Sequence, residues 1–194
     1  MRIGLLGGSF NPAHSGHLHI STVALKRLGL DQVWWLISPQ NPLKAGDDMA
    51  PLAERMAEAR RVALDRRIRV SDIELELGTC YTIETLQALR ERFPRVRFVW
   101  LMGADNLIQF PRWRSWEAIF RTVPIAVLPR PTYSYKALSG KAAQRFRAFR
   151  ISPDEAGSLA DRRPPTWVFL PMRETSASAT ALRMKRRIGR RRAP

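Results

Sequence analysis

His14 and His17 stand three residues apart in the stretch Gly7-Gly8-Ser9-Phe10-Asn11-Pro12-Ala13-His14-Ser15-Gly16-His17, which holds two of the chain's three histidines. Residues at that spacing share one face of a helix, so both imidazoles can aim at one spot. A neutral imidazole donates one hydrogen bond and an imidazolium two, which suits a phosphate whose charge grows during a reaction. Upstream, Arg2-Ile3-Gly4-Leu5-Leu6 reads as a short buried strand, and the Gly7-Gly8 pair after it is expected to let the backbone turn sharply and approach a ligand. From about Ser15, the apolar residues Leu18, Val23, Ala24, Leu25 and Leu28 recur at roughly helical spacing until Gly29. The histidines therefore fall at a strand-to-helix junction, where unpaired backbone N–H groups and a partial positive charge stabilise an anion. The competing reading of the same residues is a glycine turn with satisfied surface histidines.

Other chemistries fit poorly. A P-loop needs Gly-x-x-x-x-Gly-Lys-Ser/Thr, and no Lys-Ser or Lys-Thr follows these glycines. A dinucleotide fingerprint needs Gly-x-Gly-x-x-Gly and an acid at the end of the second strand, whereas Asp31 precedes that strand. Zinc held by His14, His17 and His19 is disfavoured because His19 faces elsewhere on the helix and there is no cysteine pair or His-Glu-x-x-His.

Gly8-Ser9-Phe10-Asn11-Pro12 with His14-x-Gly16-His17 resembles the signature of the nucleotidyltransferase superfamily, which shares its His-x-Gly-His core with class I aminoacyl-tRNA synthetases. The resemblance implies attack on the α-phosphorus of a nucleoside triphosphate with release of pyrophosphate. It places His14 and His17 near the triphosphate and makes Gly7, Gly8, Ser9 and Phe10 part of the ATP site. Near the other end, Ser178-Ala179-Thr180-Ala181-Leu182-Arg183 resembles the family's Ile-Ser-x-Thr-x-Ile-Arg, with Ala177 in place of isoleucine. By that likeness Ser178 and Thr180 offer hydroxyls to the β- and γ-phosphates and Arg183 adds charge. Without the N-terminal motif the same segment would read as a Ser/Thr-capped basic helix.

The elements that must position these groups alternate between short apolar runs and helical segments, the pattern of a parallel sheet covered on both faces. Gln32–Ile37 is the second strand, and ligands of such sheets bind beyond the carboxyl ends of the strands at the switch point. There Pro39-Gln40-Asn41-Pro42-Leu43-Lys44 resembles the family's Pro-Pro-His-Lys loop, with Leu43 where histidine is common. Lys44, and less directly Asn41, carries over as a substrate contact; by itself Lys44 would read as a solvated lysine. A helix begins at Pro51. Ile68–Glu76 alternates as a strand with one wet side, so Asp72, Glu74 and Glu76 are expected on a solvated face rather than as an acid/base set.

Tyr81-Thr82-Ile83-Glu84-Thr85-Leu86 opens a further helix and resembles the Tyr-Thr-x-x-Thr-Leu motif of nicotinate-nucleotide adenylyltransferases, in which this turn holds the nicotinate ring and its carboxylate. The alternative is that Thr82 simply caps the helix. Val96–Met102 is a strand that runs into Gly103-Ala104-Asp105-Asn106, similar to the family's Gly-x-Asp on the adenosine side. A carboxylate at Asp105 suits two ribose hydroxyls, with a plain helix N-cap as the competing role. The family pattern aligns Trp113 with a ring-stacking tryptophan, leaves Trp116 and Phe120 to the helix core, and puts Arg114 where many relatives carry tyrosine. Pro124–Leu128 is a strand ending at Arg130, a candidate grip on substrate phosphate. Residues 132–165 read as a helix plus a variable excursion, and Trp167–Pro171 as a last strand.

The chain's 194 residues, 45% of them hydrophobic, suit one domain with a sizeable core and a basic tail from about residue 184. A lone Cys80 and the absence of a long apolar segment lead us to expect a soluble cytoplasmic protein without membrane association. A net charge of +16 favours polyanions without choosing among nucleotides, nucleic acids and acidic lipids.

The expectation is a Rossmann-like doubly wound α/β domain resembling nicotinate-nucleotide adenylyltransferase. By that resemblance it joins ATP and nicotinate mononucleotide into deamido-NAD and pyrophosphate, with Mg²⁺ accompanying ATP. Two other readings stand beside it: another nucleotidyltransferase, such as one using phosphopantetheine, and a basic nucleic-acid-binding protein. Nucleic acid is the less favoured partner, since no recognised binding motif organises the basic residues.

Overall fold

The computed structural model describes residues 1–39, 49–129 and 134–171. Seven strands form one sheet: β1 (Arg2–Gly8), β2 (Gln32–Ile37), β3 (Ile68–Ser71), β4 (Arg97–Gly103), β5 (Ile125–Leu128), β6 (Arg150–Ile151) and β7 (Trp167–Phe169). Their order is β3-β2-β1-β4-β5-β7-β6, and every pairing is parallel. The chain leaves β1 toward β2 on one side and reaches β4 on the other, so the topological switch lies between β1 and β4, and sheets of this kind bind ligands beyond the carboxyl ends of the strands at such a point.

Period-two alternation divides the strand side chains between two cores. Ile3 and Leu5 of β1 and Phe98, Trp100 and Met102 of β4 face one layer, which is closed by α4 (Thr82–Arg92), α5 (Ala104–Gln109), α6 (Trp116–Thr122), α7 (Ser134–Ser139) and α8 (Lys141–Arg145). Val33, Trp35 and Ile37 of β2 and Val99 and Leu101 of β4 face the opposite layer. That layer is covered by α1 (Ser15–Arg27), α2 (Leu52–Val62) and the 3-10 segment Pro153–Asp161. No helix among the described residues is long and apolar enough to cross a membrane.

Three sequence expectations change. The Gly7-Gly8 pair does not form the turn: both glycines remain in β1, paired with Leu36 and Ile37, and the positive φ falls on Phe10 at 44°. Gly7 is needed for another reason, because a Cβ there would lie 2.5 Å from the Trp100 ring. The expected strand over 68–76 stops at Ser71, and α3 (Ile73–Glu76) follows. Adjacent Ile73 and Glu74 are both buried while Leu75 is exposed, a burial pattern that strand alternation cannot produce. Between residues 134 and 165 the chain builds α7, α8, an edge strand and a capped 3-10 segment, which is more regular structure than the expected helix and excursion.

Candidate active site

The α1 N-terminus is built by the two histidines themselves. His14 is the N-cap, with extended backbone, and its Nδ1 accepts the Gly16 N–H at 3.1 Å. His17 Nδ1 reaches back to accept the His14 N–H at 3.2 Å, so a reciprocal capping box is made with imidazoles in place of hydroxyl and carboxylate. A ring nitrogen that accepts cannot carry the proton, so each ring is the Nε2–H tautomer and donates from the nitrogen farther from the helix. The ring centroids are 3.9 Å apart. Sequence left open a doubly donating imidazolium; the capping bonds select two neutral rings, each with a single donor.

Packing fixes those rings. His17 lies against Phe10, centroid to centroid 4.5 Å, and Phe10 stacks on Trp35 of β2 at 5.2 Å. The Trp35 indole N–H donates to Ser21 Oγ at 2.7 Å, and that hydroxyl donates to the His17 carbonyl at 2.8 Å. Holding a bulky residue at positive φ costs on the order of 1–3 kcal/mol and persists only where the surroundings enforce it. Here the surroundings are the Trp35 and His17 rings, which both pack against Phe10 and lie 5.9 Å from each other, leaving Phe10 2% exposed.

At the switch point, Gly8 and Gly103 each lie two residues beyond the paired Leu6 and Leu101, so the carboxyl ends of β1 and β4 finish level. Gly103 is the N-cap of α5 and Asp105 falls in its first turn, half-buried, so the plain N-cap role for Asp105 is not realised. Tyr81, with extended backbone, caps α4, and Thr82 is its first helical residue rather than its cap. Trp113 is half-buried, packed edge-on against Phe110 at 5.0 Å and Trp100 at 6.4 Å. Arg114 ties the two segments together: its guanidinium lies 4.5 Å above the Tyr81 ring and 3.4 Å from Glu84. Trp116 and Phe120 pack as helix core, as expected.

His14, His17, Gly7, Gly8, Ser9, Phe10, Gly103 and Asp105 thus share the carboxyl edge at the switch point, with Tyr81 and Thr82 at the start of α4 and Trp113 just after the 3-10 turn Phe110–Arg112 that follows α5. Asn41, Lys44, Arg130, Ser178, Thr180 and Arg183 lie outside the described residues.

Sequence reasoning missed two buried ionisable side chains at this edge. Arg55 of α2, taken as scaffold, is 2% exposed and donates to the carbonyls of Ser9, Ser38, Pro39 and Ala50. Removal from water lowers its pKa. Glu74, expected on a solvated strand face, is buried in α3, and burial pushes its carboxyl up to about 7 against the opposing hydrogen bond from Ser38. The only sequence cue for either was its place on an otherwise apolar stripe: Arg55 precedes Met56 and lies four residues before Ala59, and Glu74 follows Ile73.

A family described as cytidylyltransferase-like matches residues 5–185. A Parvibaculum lavamentivorans protein named probable nicotinate-nucleotide adenylyltransferase is 54% identical over 183 residues, covering 94% of this chain and 91% of its own. A Methylorubrum extorquens protein of the same name is 51% identical over 185 residues, covering 95% of this chain and all of its own. Among solved structures, a Plasmodium falciparum nicotinic acid mononucleotide adenylyltransferase complexed with NaAD superposes with a TM-score of 0.69 over 94% of this chain and 82% of that one. At 14% identity that likeness speaks for the fold. With imidazoles capping a helix at the switch point of a parallel sheet and such matches over nearly its whole length, the chain belongs to the cytidylyltransferase-like nucleotidyltransferases and, within them, to the nicotinate-nucleotide adenylyltransferase family.

Proposed function

We propose that this protein transfers the adenylyl group of ATP to nicotinate mononucleotide, forming deamido-NAD and pyrophosphate. The observation that carries the reading is the pair of imidazoles whose Nδ1 atoms accept the capping N–H groups beside the Ser9–Phe10 turn at the switch point, which leaves each Nε2 to donate. A phosphate oxygen of the mononucleotide attacks the α-phosphorus of ATP, the bond to the bridging β-phosphate oxygen breaks, and pyrophosphate leaves with that electron pair. No covalent protein intermediate is needed; orientation and charge stabilisation supply the acceleration.

His14 and His17 donate to the triphosphate, with Gly7, Gly8, Ser9 and Phe10 as its backbone cradle. Asp105, two residues after Gly103, accepts from the ribose hydroxyls. Ser178, Thr180 and Arg183 serve the β- and γ-phosphates, and Lys44 adds a second cation. Tyr81, Thr82 and Trp113 choose the pyridine, with Asn41 and Arg130 on the mononucleotide. Mg²⁺ accompanying ATP would neutralise part of the triphosphate charge. The exposed free thiol of Cys80 fits the reducing cytoplasm.

The test is pyrophosphate release from ATP with nicotinate mononucleotide, its amide and phosphopantetheine side by side. We expect the acid to give the highest kcat/KM; a preference for phosphopantetheine, or no release with any acceptor, refutes the reading.

A further inference from the structure

In a parallel sheet successive carbonyls of a strand point alternately to its two neighbours. Gly8 keeps this pattern, its carbonyl accepting the Ser38 N–H at 3.0 Å from the β2 side. If β1 simply continued, the Ser9 carbonyl would point the other way, toward β4 and the switch point. Instead it accepts Arg55 Nη1 at 2.7 Å, and the same nitrogen donates to the Ser38 carbonyl at 2.8 Å, so the Ser9 carbonyl turns toward α2 and the exit of β2. The Ser9–Phe10 peptide is not among the cis bonds, and in a trans peptide N–H and C=O point in opposite directions. The Phe10 N–H therefore points away from Arg55. The flip brings Phe10 to its positive φ, a conformation that needs an outside hold.

Arg55 is built for that hold. Nε donates to the Ala50 carbonyl at 2.9 Å and Nη2 to the Pro39 carbonyl at 3.2 Å, so one planar fork joins the turn after β1, the exit of β2 and the entry of α2. All four of these partners are neutral carbonyls. A lysine offers three donors on a rotating ammonium and cannot reproduce the fork.

We propose that Arg55 is a positioning residue for adenylyl transfer: by gripping the Ser9 carbonyl it presents the Phe10 N–H, rather than a carbonyl, to the triphosphate. The proposal rests on the adenylyltransferase reading. A carbonyl turned toward the triphosphate would repel it, whereas an N–H oriented beforehand meets the developing charge without reorganisation.

The test compares Arg55→Lys and Arg55→Met with wild type, reading kcat and both KM values per folded molecule beside a melting curve. We expect kcat/KM for ATP to fall about 10- to 100-fold, the cost of a misplaced cradle, while KM for the mononucleotide stays within roughly twofold. A merely structural role would lower the melting temperature and the active fraction but leave the ATP parameters of the folded molecules unchanged, and that result overturns the proposal. Should neither variant fold, NMR of the wild type decides. The Arg55 Nε–H must resist exchange relative to exposed arginines, and the Phe10 amide must shift with a non-hydrolysable ATP analogue. Fast exchange, or an unmoved amide at saturation, refutes the role. Wild type that turns over with ATP while its variants keep their ATP kcat/KM loses only this proposal; wild type without pyrophosphate release loses the parent reading with it.

Discussion

His17 does two jobs with the two nitrogens of one ring. Nδ1 closes the capping box and fixes the tautomer, which makes Nε2 the donor. Replacing His17 with alanine removes a cap bond and a charge-stabilising donor together, and the two losses differ in size. The cap is worth about 1 kcal/mol, whereas a donor aimed at developing charge is worth roughly 10²–10³ in turnover. His17→Ala is therefore expected to melt only slightly below wild type while kcat collapses. Steady-state kinetics beside a thermal melt checks this, and near-normal turnover removes the residue from the mechanism.

At the scale of elements, α3 shows how a short helix can make stability depend on pH. It inserts Glu74 beneath the exit of β2, where the Ser38 hydroxyl meets its carboxyl and burial raises the pKa to about 7. Because the folded pKa lies above the ordinary glutamate value of about 4.5, the native state holds a proton that the unfolded chain releases. The associated stability is complete below about pH 4.5 and is lost as pH rises through about 7. Glu74→Gln keeps the shape and removes the ionisation, so it should match wild type at pH 4.5 and exceed it at pH 8 by on the order of 3 kcal/mol. Denaturant melts at the two pH values check this; equal differences at both would show that Glu74 is not the group responsible. The alternation of Ile68–Glu76 was legible but misleading, since Ile73 and Leu77, four apart, suit one helical turn as well as their neighbours suit a strand.

At the scale of the whole molecule, the two ends of the sheet have separate tasks. The carboxyl ends of β1 and β4 hold the proposed chemistry. Their amino ends pair Arg2 with Arg97, like charges side by side, and Asp161 from the Pro153–Asp161 segment bonds to both. The Arg97 hydrogen bond first, then the charges of both arginines, hold the Asp161 carboxyl below its usual range. Asp161→Asn leaves two neighbouring guanidiniums without a counter-charge, a full sheet length from the histidines. Its expected signature is a slightly lower melting temperature with kcat/KM for both substrates unchanged; a loss of kcat/KM would show that the two ends are coupled. In a chain of net charge +16, such local pairing decides which arginines are left to meet an anion.

Sequence alone determined the alternating α/β pattern, the bounds of β2, the end of α1 at Gly29, and the family likeness carried by the histidine motif, because local periodicity and turn chemistry are written in neighbouring residues. Only the tertiary structure decided which nitrogen of each imidazole carries the proton, that Gly7 makes room for Trp100, that the turn falls on Phe10, and that Arg55 and Glu74 are buried at the same strand exit. Each of those depends on a partner far away in the chain: Arg55 reaches Ser9 across 46 positions, and no local pattern encodes which distant carbonyl a buried guanidinium will meet.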